Sequence, residues 1–152
     1  MAQLIEGTAA WRATGNKHFT PFLLGLQAEA CLKAQKLAEG LAAIADGLVI
    51  AAGGGDTYWL TELVRLRGEL LWAGGQDGKT VEACFREAQA TARQQEARML
   101  ALRAAMSLAR LWQSQGQTQA ARQMLAEAYG QLDEGFDTCD RHQAAVLLST
   151  PS

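Results

Sequence analysis

The sequence predicts an all-α chain of about eight helices, arranged as a right-handed stack of helical hairpins. Three observations lead there. Ala, Leu, Gln, Glu and Arg dominate the 152 residues, and all of them favour helix. Only two prolines occur, Pro21 and Pro151, so no helix breaker lies between them. A small-large-small figure of side chains also recurs about every 40 residues on paired helical faces.

The figure is plainest around "SLARLWQSQGQTQAARQMLAEAYG". Ala105, Leu108, Ala109 and Trp112 fall at offsets 0, 3, 4 and 7, one face of a helix. Gly116 breaks that helix. Ala121, Leu125 and Ala128 then give a small, a large and a small residue at offsets 0, 4 and 7. Small residues let two helices approach closely, and the large one fills the space between them.

Two earlier copies share the register. Val64, Gly68 and Leu71 precede the loop "AGGQDGK", and Val81, Phe85 and Ala88 follow it. Leu24, Ala28 and Cys31 precede a turn around Gln35, and Gly40, Ile44 and Gly47 follow it. Ala28, Gly68 and Ala109 are spaced by 40 and 41 residues, and Ile44, Phe85 and Leu125 by 41 and 40. Leu4 and Gly7 match Ile44 and Gly47 at a spacing of 40, so the chain is expected to open in mid-repeat.

In chain order the helices are expected over about 2–14, 19–34, 37–52, 57–73, 79–95, 97–115, 118–133 and 138–149. Gly15, the run Gly53 to Gly55 and the pair Gly74–Gly75 punctuate them. Asp56 is a suitable N-cap before "TYWLTEL", and Asp137 or Thr138 before the last helix. The chain then reads as one domain, 1–152. It holds a half repeat over 1–15, hairpins over 19–55, 56–95 and 97–134, and a capping helix over 138–149 that covers the end of the stack.

Composition excludes several functions. Hydrophobic residues make up 49% and charged residues 20%, a globular balance. A net charge of −2 gives no polyanion-binding surface, so no nucleic acid is expected. The longest apolar run, "GLVIAAGGG", is too short to span a bilayer. The N-terminus has no basic segment before an apolar one, which points to a cytoplasmic protein.

Cys31, Cys84 and Cys139 form no C-x-x-C pair, and the first two lie on apolar helical faces as small buried hydrophobes. Cys139 sits near a helix start, with no His or basic residue adjacent in sequence to activate it. His18 and His142 offer no metal-ligand spacing. "GGQDGKT" comes nearest to a phosphate loop, but it is one residue short of the pattern and follows a helix rather than a strand. No catalytic, cofactor or metal site is expected.

The small-large-small hairpin resembles the tetratricopeptide repeat. Its period is closer to that of a HEAT-like hairpin, while the small-residue positions favour the tetratricopeptide reading. The segments "AAWRATG", "LRGELLWAGG", "EACFREAQATARQQEARMLALRAAMSLARLWQSQG" and "AYGQLDEGFDT" resemble the C-terminal repeat region of large bacterial signalling proteins. Those proteins carry an adenylate cyclase-like or other regulatory domain, then a STAND-type ATPase, then a helical array; some LuxR-type regulators are similar. The resemblance implies a sensor or scaffold segment that binds partners, without chemistry of its own.

The expected function is therefore a non-enzymatic protein–protein interaction module. On the concave side of such a stack the first helices would present Glu29, then Glu62, Arg65, Glu69 and Trp72, then Arg103, Met106, Arg110 and Gln113. Arginine forks suit carboxylates of a protein or peptide partner, and Trp72 would be an apolar anchor. The bland alternative is that these charges pair with one another. A second class is a small-molecule sensor or enzyme with a pocket in the groove, where Glu29, Glu69 and Arg110 would be the acid–base candidates. Trp11, Trp59 and Trp112 are expected to pack between helices. The exposed flank of the first helix, with Leu4, Ile5 and Trp11, is a surface on which two copies would pair as a homodimer.

Overall fold

Glycine and left-handed turns divide this chain into helices close to where the periodicity puts them. A computed structural model describes residues 2–15, 17–54, 57–132 and 138–149. Among these, all regular structure is helical: α1 (Ala2–Ala13), α2 (Thr20–Lys33), α3 (Leu37–Ala52), α4 (Leu60–Ala73), α5 (Gly78–Gln94), α6 (Arg98–Ser114), α7 (Thr118–Gly130) and α8 (Cys139–Ser149). The segment expected as helix from 57 begins as a 3-10 turn over Thr57–Trp59. The seventh helix stops at Gly130, short of the expected 133. Asp56 and Asp137, proposed as N-caps, lie outside the described residues. Thr138 does accept the Arg141 N–H, at 3.4 Å.

The turns after α2, α4, α5 and α6 share one construction. Gln35, Gly75 and Gly116 each adopt positive φ, at 57°, 78° and 78°. The next N–H reaches back five residues to a helical carbonyl: Lys36 to Cys31 at 2.9 Å, Gln76 to Leu71 at 3.0 Å and Gln117 to Trp112 at 2.8 Å. This left-handed closure satisfies carbonyls that a helix end leaves open. Glu96, with φ 55°, repeats it between α5 and α6, where Ala97 donates to Ala92 at 2.9 Å. Glycine suits such a backbone; Gln35 and Glu96 hold it with a side chain and carry the strain.

The chain separates into two compact units, residues 1–84 and 85–152, with the boundary inside α5. In the first, α2 and α3 pair, α4 packs on both, and α1 packs on α2. The core contains Leu24, Ala28, Ala43, Ile44, Leu63, Leu66 and Leu70. Gly47 lies against Leu24 and Gly40 against Cys31, so α2 and α3 run antiparallel with Ala28 and Ile44 at the centre of the seam. A Cβ at Gly40 would stand 2.8 Å from Leu70 Cδ2 and 3.2 Å from Cys31 Cβ, which is why the small residue is needed there.

In the second unit α6 pairs with α7, and α8 packs on both. Its core contains Leu102, Ala105, Met106, Ala109, Ala121, Leu125, Leu132 and Ala144. Thus α8 stands to the α6–α7 pair as α4 stands to the α2–α3 pair. The repeated small positions Ala28, Gly68 and Ala109 are buried, as are the repeated large ones Ile44, Phe85 and Leu125.

Candidate functional site

Helices α2, α4 and α6 carry the side chains that the sequence singles out for a groove. In the first unit, α4 places Glu62 three residues before Arg65 and Glu69 four after it, all on one face. The guanidinium takes both. Arg65 Nε donates to Glu62 Oε2 at 2.9 Å and Nη2 to Glu62 Oε1 at 2.7 Å, a two-pronged grip, while Nη1 reaches Glu69 Oε1 at 3.2 Å. The three side chains are mostly buried, at 12%, 10% and 17% exposure for Arg65, Glu62 and Glu69. Burial pulls the Arg65 pKa down. The hydrogen bond to Glu62 and the charges of Glu62, Glu69 and Glu29 more than offset it, so the pKa lies above the ordinary arginine value. Arg65 is thus held by its own helix. Glu29 pairs with Lys33 at 2.8 Å on α2, and Trp72 is half-buried.

In the second unit, α6 carries Arg103, Met106, Arg110 and Gln113. Met106 is 3% exposed and belongs to the core, so it lines no surface. Arg103 Nε meets both Asp140 carboxylate oxygens, at 3.3 Å each, and ties α6 to α8. Gln113 is half-buried. Arg110, two turns beyond Arg103, forms no hydrogen bond or ion pair among the described residues. It opens into a cleft of about 570 Å³ between α6 and α8, lined also by Cys139, His142, Gln143, Val146 and Leu147. None of these α8 residues was singled out as part of a site from the sequence, because nothing local announces that α8 lies beside α6. A smaller cleft of about 360 Å³ lies among α1, α2 and α3, with Thr8, Gln27, Glu39 and Asp46 in its wall. Glu39 there is bound by Lys36 at 3.0 Å.

The loop "GGQDGKT" has a structural task. Asp77 Oδ1 accepts the N–H groups of Lys79 and Thr80 at 3.0 and 3.1 Å, and the Thr80 hydroxyl donates to Oδ2 at 2.6 Å. These donors hold the Asp77 carboxyl below its usual range, the Thr80 hydroxyl most of all. The amides that a phosphate loop would turn toward its ligand are occupied by this N-cap of α5. The D-x-x-T spacing was the readable signal.

The other singled-out residues are placed as follows. Cys31 and Cys84 are buried, and Cys139 is exposed; all three are free thiols. Burial pushes the Cys31 thiol up, with the Glu39 charge adding to it. His18 is exposed, and its carbonyl accepts the Trp11 indole N–H at 3.1 Å. The Trp11 ring is on the surface rather than in a helix seam. The Trp59 ring meets Phe22 at a tilt of 39° with ring centres 4.5 Å apart, and Trp112 packs on the second core with the Arg86 guanidinium 5.3 Å from its ring centre. The side chains of Leu4 and Ile5 lie outside the described residues. Among the described residues no three His, Cys, Asp or Glu side chains gather to hold a metal ion, and no helix is long and apolar enough to cross a membrane.

Comparison with family models, curated proteins and solved structures finds no match to this chain.

Proposed function

We propose that this chain is a non-enzymatic interaction module: a right-handed, tetratricopeptide-like stack of helical hairpins that binds a protein or peptide along its first helices. The common turn carries the reading. Gln35, Gly75 and Gly116, spaced by 40 and 41 residues, end α2, α4 and α6 with the same left-handed geometry and the same backbone hydrogen bond, a closure that Glu96 also uses after α5. The α2–α3 and α6–α7 pairs, each closed by this turn and each followed by a helix packed on both, are the kind of unit a repeat array is made of, and such arrays work chiefly as binding surfaces. The placement of α4 and α8, each on both helices of the pair before it, agrees with stacking.

The sequence resemblance to bacterial signalling proteins supports a regulatory setting, and three free cysteines suit a cytoplasmic one. Among the arginines, the partner-facing role falls to Arg110, because Arg65 and Arg103 are already engaged by carboxylates. The test is comparative capture from an extract of the source cell. Arg110→Glu with Gln113→Ala should lose a partner that the parent chain retains, with helical signal and thermal midpoint unchanged. Equal capture by both proteins would reject the first-helix face as the binding surface.

A further inference from the structure

Two arginines project from α6 two turns apart toward α8, and they meet opposite surroundings. Arg103 finds the carboxylate of Asp140. Arg110 finds Val146 and Leu147 with the thiol of Cys139, the imidazole of His142 and the amide of Gln143, and none of the described lining residues is a carboxylate. The cleft beside Arg110 runs along α8 from Cys139 to Leu147. The cleft of about 570 Å³ lies within the range of small-molecule sites, which are mainly apolar with a few placed polar groups. Val146 is 65% exposed at its rim, apolar surface that an occupant would cover.

We propose that the α6–α8 cleft binds a small carboxylate with an unbranched apolar tail, its head group held by Arg110 and its tail laid against Val146 and Leu147. A guanidinium that none of the described residues engages presents a planar fork that matches a carboxylate with two parallel hydrogen bonds. Among the described lining residues none competes for Arg110 as Asp140 does for Arg103. The apolar wall selects against small hydrophilic anions, since burial of each methylene favours a longer tail. The inference shares Arg110 with the interaction-module reading but is read from the cleft: protection of Cys139 by octanoate tests it alone, and retention of a protein partner tests the other.

Cys139 makes the cleft measurable. It is the exposed thiol beside two buried ones and lines the proposed site, so its alkylation by iodoacetamide reports occupancy. Straight-chain carboxylates from butanoate to octanoate, below their micelle concentrations, should slow alkylation saturably. The apparent Kd should tighten about fourfold per methylene until the cleft is filled. Arg110→Gln should weaken octanoate about tenfold or more. Val146→Glu, at an exposed position, should weaken it while leaving the thermal midpoint unchanged. Octan-1-ol should protect no better than octanoate does in Arg110→Gln. An alkylation rate independent of octanoate, equal protection by octanol, or an unchanged Kd in a folded Arg110→Gln would each overturn the proposal.

Discussion

Adding one methyl group at Gly40 separates packing from helix propensity. In α3 a Cβ at this position would stand 2.8 and 3.2 Å from the two methyl carbons of Leu70 and 3.2 Å from Cys31 Cβ. Leu70 and Cys31 are fully buried, so neither can swing into solvent. Replacing glycine with alanine in a helix gains about 1 kcal/mol of propensity. Forcing a methyl into a filled seam costs about 1–3 kcal/mol. Gly40→Ala should therefore destabilise the first unit by about 1 kcal/mol, taking a mid-range packing cost. Gly7 in α1 is the control: its Cβ would meet nothing within 4 Å, so Gly7→Ala should stabilise by about 1 kcal/mol. The two residues belong to one unit. Urea unfolding followed by circular dichroism gives both values in the same transition, and the expected gap is about 2 kcal/mol. If Gly40→Ala stabilises as much as Gly7→Ala, the close approach of α2, α3 and α4 is not as described.

The turns give a signed pair: Gly116→Ala, whose Cβ points into open space, should lose about 1 kcal/mol from backbone strain alone, while Gln35→Gly should gain about 0.5–1 kcal/mol in thermal or urea unfolding. Removing the Arg65 guanidinium leaves Glu62 and Glu69 buried beside each other, so Arg65→Met should destabilise by about 2–3 kcal/mol, and a loss of under 0.5 kcal/mol would show the cluster to be solvated. Asp77 has a depressed pKa in the folded chain, so its cap stabilises above the unfolded carboxyl pKa and is lost as pH falls through the folded one. The stability gap between the parent and Asp77→Ala should therefore be full at neutral pH and close in acid, measured as urea midpoints across pH; a gap constant down to the acid limit would exclude the cap as its source.

Helix positions were readable because burial of one face writes a 3.6-residue period into the sequence, and glycine marks most of the turns. Gln35 was placed in a turn by the apolar figures on either side, since its own residue type does not announce positive φ. Glu96 was equally silent. The Glu62–Arg65–Glu69 spacing was visible as a stripe, and both a binding face and internal pairing were open readings of it. The three side chains pair within α4 and are mostly buried, and burial is a property of neighbouring helices that no local pattern carries. Met106 shows the same limit: it shares helical spacing with Arg103 and Arg110 yet belongs to the core, because the apolar stripe of α6 is wide. The α6–α8 cleft was out of reach for the same reason, with α8 legible as a cap but not by which residues it faces α6. Asp77 was the opposite case, a local D-x-x-T cap that a phosphate-loop comparison obscured.

The repeated seam is tested most directly by methyl–methyl nuclear Overhauser effects in selectively labelled protein. Ala28 and Ile44 share the core of the first unit, and Ala109 and Leu125, their counterparts two periods later, share that of the second. Cross-peaks from the Ile44 methyls to the Ala28 methyl, and from the Leu125 methyls to the Ala109 methyl, are the expected result. Absence of either cross-peak in a folded sample, or a cross-peak set in which Ala109 meets α7 one turn away from Leu125, would contradict a common hairpin register and with it the interaction-module reading built on it.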